Sequence, residues 1–85
     1  MTNKKVAEEF ARGSSKGKSL HMFIDGSVVF SYGRHFPIAR FTNERRTHAL
    51  FTTKGYSVTT ARHKNLVKAA LIDRGVEITM SSEVA

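Results

Sequence analysis

The chain contains no cysteine, one proline, and half as many acidic as basic residues, 7 against 14. Without cysteine there is neither a disulfide nor a thiolate zinc site, and the redox compartment is left open. The single proline, Pro37, falls near the start of an apolar run, where a strand tolerates the missing amide proton. No apolar run approaches the ~18–20 residues of a membrane span. Met1 is followed by polar residues rather than a signal-peptide core, so a soluble cytoplasmic protein with no membrane partner is expected. The few acids are scattered. They supply no third member for a serine–histidine pair, and no helix carries His-x-x-x-His or Glu-x-x-His. A non-enzymatic protein without metal or cofactor is the expectation.

What is present is a small, basic, foldable chain. Eighty-five residues allow one domain and one small core, and 40% hydrophobic residues favour folding over disorder. At this size a homodimer or a bound partner is a further source of stability. The net charge of +7 is unevenly spread. Residues 34–68 hold Arg34, Arg40, Arg45, Arg46, Lys54, Arg62, Lys64 and Lys68 against one acid, Glu44. A localised basic patch attracts phosphate backbones or an acidic protein surface.

Read in order, residues 1–12 place Val6, Ala7, Phe10 and Ala11 at helical spacing, with Thr2 or Asn3 as cap and Gly13 as stop. Residues 13–19 read as a flexible basic linker. Their Gly-x-x-x-Gly-Lys-Ser string is one residue short of a phosphate-binding loop and leads from helix to strand, the wrong order for one. A single α+β domain is expected over 20–80, with a polar tail over 81–85. Leu20, Met22 and Ile24 alternate, and Asp25-Gly26 reads as a type I′ hairpin turn. Strands follow over 27–32, 36–41, 47–53 and 56–58. At Thr59 and Thr60, candidate caps, the period changes to 3.6. Leu66, Val67, Ala70 and Leu71 then form a helical stripe extended by His63 and Arg74. Gly75 ends that helix, and Val76, Ile78 and Met80 alternate in a last strand. The expected fold is an antiparallel meander of about five strands packed on one main helix, with a short N-terminal helix and a short final strand.

Two stretches stand out: Phe30-Ser31-Tyr32-Gly33-Arg34-His35-Phe36-Pro37-Ile38-Ala39 and Tyr56-Ser57-Val58-Thr59-Thr60-Ala61-Arg62-His63. With the Met22-Phe23-Ile24-Asp25-Gly26 lead-in, they make residues 20–71 resemble an uncharacterised family of small proteins common in bacteriophages and other mobile elements. Its members pair a Tyr-Ser-Tyr-Gly-x-His-Phe-Pro-x-Ala segment with a Tyr-Ser-x-Thr-Thr-x-x-His segment; Phe30 stands here where tyrosine is usual. The resemblance implies a phage setting, hence the host cytoplasm, and a shared fold. It implies no mechanism.

Tyr32, His35, Tyr56 and His63 are expected to form one polar cluster if the strand ending at Tyr32 lies beside the helix start. Ser31, Gly33, Pro37, Thr59 and Thr60 frame that cluster, with Gly33 a backbone requirement. The cations Arg34, Arg40, Arg45, Arg46, Lys54, Arg62 and Lys64 suit phosphate. Nucleic acid, DNA or RNA, bound through a single exposed basic face contributed by residues 34–68, is therefore the leading expected partner. A protein-interaction module inhibiting a host defence or replication complex through an acidic surface is the alternative. A third reading is a pocket near Tyr32 and His63 that sequesters a small nucleotide.

Overall fold

The computed structural model describes residues 1–55 and 58–84. Helix α1 spans Asn3–Arg12. The Thr2 side chain accepts the Lys5 amide, and Gly13 closes the other end in the left-handed conformation at φ 101°. Strand β1 (Lys16–Lys18) follows at once, so the segment expected as a flexible linker is instead ordered as an edge strand. It pairs with β2 (Met22–Asp25), Lys16 opposite Asp25 and Lys18 opposite Phe23. Leu20 lies outside the strands and is exposed, correcting its place on the Met22 and Ile24 face.

The β2 turn differs from the expected Asp25-Gly26 pair. Asp25 is the last strand residue, opposite Val28, and only Gly26 carries a positive φ, 65°. Glycine first in a two-residue loop with Ser27 matches a II′ hairpin rather than I′. Strand β3 (Val28–Ser31) pairs with β4 (Pro37–Phe41), and β4 pairs with β5 (His48–Thr52), all antiparallel. Between Val29 and Phe30 the register shifts, leaving Ile38 as the extra residue of a bulge. Ile38 and Ala39 are consequently both fully buried although adjacent in sequence.

Helix α2 spans Val58–Asp73. Thr59 and Thr60 therefore lie within its first turn rather than before it, which corrects their reading as caps. Of the strand expected over 56–58, Val58 opens this helix, and Tyr56 and Ser57 lie outside the described residues. Strand β6 (Glu77–Ser81) returns parallel to β5, a departure from the all-antiparallel meander. The parallel pairing follows from the helical crossover, which brings the chain back to the end where β5 began. Among the described residues the sheet order is β1-β2-β3-β4-β5-β6. The class is α+β.

Both helices lie on one face of the sheet. That face buries Met22, Ile24, Val29, Phe41, Ala49 and Phe51 against Val6, Phe10, Val67 and Leu71. Phe10 stacks on Phe41 at 4.7 Å between ring centres. Each of these buried side chains larger than alanine contributes roughly 1.5–3 kcal/mol, so the helix-facing layer is a main source of stability. Alternation sends Lys16, Lys18, Phe23, Asp25, Val28, Phe30 and Arg40 to the opposite, helix-free face. The tail crosses part of it: Val84 is buried, and the Arg40 Nε donates to its carbonyl. No helix among the described residues is long and apolar enough to cross a membrane.

Candidate nucleic-acid interface

The two motif stretches meet at the end of the sheet where β3 finishes and α2 begins. Ser31, the last residue of β3, points into the core and is fully buried. Its Oγ lies 2.7 Å from Nδ1 of His63, itself 3% exposed on the sheet-facing side of α2. The Asn3 amide at the start of α1 lies 3.2 Å from Nε2, and the Asn3 carbonyl oxygen accepts from Ser19 Oγ. With its oxygen taken by Ser19, Asn3 presents its NH₂ to Nε2. The His63 proton then sits on Nδ1 and is donated to Ser31. Burial, and secondarily the neighbouring His21, hold the His63 pKa below its ordinary value, which keeps the ring neutral and able to accept from Asn3. This buried chain fastens α1, β3 and α2 together.

Immediately after Ser31 the backbone turns sharply. Tyr32 has a φ of 67°, and the Gly33 amide donates to the Ser31 carbonyl at 2.8 Å. A bond from i+2 to i about a positive-φ centre is a γ-turn of the strained hand. The strain therefore falls on Tyr32, whereas the sequence placed the backbone requirement on Gly33. Strain of this kind costs of order 1–3 kcal/mol and persists only where the surroundings impose it. Here the Tyr32 amide donates to the His21 carbonyl at 2.7 Å, and its half-exposed ring sits 5.2 Å from His21 and 5.5 Å from His63. The expected cluster is thus realised by Tyr32 and His63 and joined by His21. His35 is exposed in the turn, and Tyr56 lies outside the described residues.

The consequence of the turn is the position of Arg34. Thrown back over the helix-free face, its guanidinium lies 5.6 Å from the Phe23 ring centre and 5.7 Å from that of Phe30, and those rings stack on each other at 4.8 Å. Nη1 is paired with Asp25 Oδ2 at 2.6 Å. Lys16, Gly17, Lys18, Phe23, Ile24 and Arg34 line one shallow open groove of about 490 Å³. Three cations and an aromatic ring therefore converge with one carboxylate beside them.

A family described as a family of unknown function (DUF8033) matches residues 2–80. The chain belongs to that family. No curated protein and no solved structure matches it. Within this DUF8033 chain the cations singled out in the sequence fall at three places rather than on the single face expected of residues 34–68, because strand alternation and the two ends of the sheet separate them. Arg34 and Arg40 lie on the helix-free face. Arg45 is exposed in the loop after β4; its neighbour Arg46, at φ 55°, packs over Phe41 at 5.1 Å and against Gly13 at the end of α1. At the opposite end of the sheet, Lys64 Nζ donates to the Lys54 carbonyl at 2.9 Å and lies 6.0 Å from the Phe51 ring, with Arg62 exposed beside it. Pro37 opens β4 opposite Phe30.

Sequence reasoning overlooked Lys16, Lys18, Phe23, Asn3, Ser19 and His21. The lysines carried no usable signal, because a Lys-Gly-Lys triplet flanked by glycine and serine has no strand tendency of its own. Asn3 and Ser19 carried none, because their role depends on a histidine far along the chain. Among the described residues no group of three or more His, Cys, Asp or Glu side chains is placed to hold a metal ion.

Proposed function

We propose that this protein binds nucleic acid without acting on it, and that it does so on the helix-free face of the sheet. The observation that supports this reading is the convergence of Lys16, Lys18 and Arg34 around Phe23 in one open groove. Cations beside an aromatic surface are the combination that tracks a phosphate backbone while holding bases. The net charge of +7 adds long-range attraction for a polyanion. The resemblance of the two motif stretches to proteins of bacteriophages and mobile elements supports a reading in which the protein works in a host cytoplasm. Arg40 lies on the same helix-free face, where its Nε donates to the Val84 carbonyl.

The test is binding of labelled DNA and RNA across a salt series. Two phosphate contacts, at Lys16 and Lys18, give a slope of log affinity against log salt of about −1.4 for single strands. Replacing Lys16 and Lys18 by alanine should bring that slope near zero. Absence of salt-dependent binding, or a variant indistinguishable from the parent, removes the proposal. Capture of one host protein that survives nuclease treatment, with no affinity for free nucleic acid, favours an acidic protein partner instead.

A further inference from the structure

Resting on that reading, we infer that the nucleic acid is single-stranded and that one of its bases stacks on the outer plane of Arg34. The guanidinium is held on its inner side by the Phe23 and Phe30 rings, with its centre 5.6 and 5.7 Å from theirs. It is held at one end by Asp25 at 2.6 Å. Its side chain is nonetheless 68% exposed, so a guanidinium anchored beside the two rings leaves much of its surface open. A fixed, exposed guanidinium is a stacking surface, and single-stranded bases stack on arginine planes as they do on aromatic rings.

The rest of the face agrees. Lys16 and Lys18 point to the same side of β1, and Lys18 stands opposite Phe23. They are placed to meet phosphates beside the stacked base. A duplex keeps the faces of its bases inside its own stack, so it has no free base face to lay on the guanidinium. The strained turn at Tyr32 also acquires a role, since it returns the chain so that Arg34 overlies the rings. Asp25 contributes orientation: a lysine at position 34 would keep the charge and lose the plane.

The experiment compares a labelled 20-nucleotide single strand with a 20-base-pair duplex, by fluorescence anisotropy at fixed salt, for the full chain and for Arg34→Lys and Phe23→Leu. The expected result is tighter binding of the single strand. Arg34→Lys should weaken it by about 5- to 30-fold, the scale of losing one stacked base, while leaving duplex affinity within twofold. Phe23→Leu, which keeps an apolar side chain and removes the supporting ring, should weaken the single strand in the same direction. Equal or tighter duplex binding, or an Arg34→Lys variant within twofold of the parent on single strands, overturns the inference while leaving nucleic-acid binding standing. No binding to either probe overturns both.

Discussion

Replacing His63 by alanine tests the buried chain that joins the two motif stretches. The ring accounts for two hydrogen bonds, to Ser31 at 2.7 Å and Asn3 at 3.2 Å. Each is worth about 0.5–1.5 kcal/mol, and a fully buried hydroxyl left unpaired at Ser31 adds about 1–3 kcal/mol. A loss of about 3 kcal/mol is therefore expected, against a total near 4–13 kcal/mol for a domain of this length. In a thermal melt that corresponds to a fall in Tm of about 12–24 °C. The pH dependence gives a second reading of the same residue. The folded-state pKa of His63 is depressed, so just below the ordinary histidine value the unfolded chain binds the extra proton and the folded chain does not. Stability contributed by neutral His63 is present above that value and declines as pH falls toward the depressed one. Urea melts of parent and His63→Ala at pH 7.5 and 5.5 should show a larger gap at 7.5. A gap below 1 kcal/mol at pH 7.5, or one that widens on acidification, would refute the argument.

Three further outcomes follow from the packing. Phe10→Ala removes a fully buried ring stacked on Phe41 and should cost about 3–5 kcal/mol in denaturant melts; a loss under 1 kcal/mol would mean α1 is not part of the core. At Tyr32, glycine tolerates the positive φ and a β-branched residue does not. Tyr32→Val should therefore be less stable than Tyr32→Gly by about 1–2 kcal/mol, and the reverse order would remove the strained turn. Ser19→Ala deletes the hydroxyl that bonds Asn3 and accepts the Met22 amide at 3.0 Å, and should cost about 1–3 kcal/mol by chemical denaturation; no change would show that Asn3 is held without it.

Local pattern by itself determined much of this protein. Thr2 and Gly13 bracket α1 because a cap and a left-handed stop act over a few residues. The spacing of Val67 and Leu71 put His63 on the buried side of α2, and alternation around Ala49 and Phe51 set the inward face of β5. Each of these follows from a period of 3.6 or 2, which a single segment reveals. Tertiary structure alone decided the rest. A Lys-Gly-Lys triplet has no strand tendency of its own and becomes β1 only because the β2 edge offers it hydrogen bonds. β6 is parallel because α2 carries the chain back across the sheet. Asn3 finds His63 across 60 residues and Ser31 finds it across 32, distances over which no local periodicity operates. The groove arises the same way, since Lys16 and Lys18 reach Phe23 and Arg34 through strand pairing and a strained turn, and their spacing along the chain encodes neither.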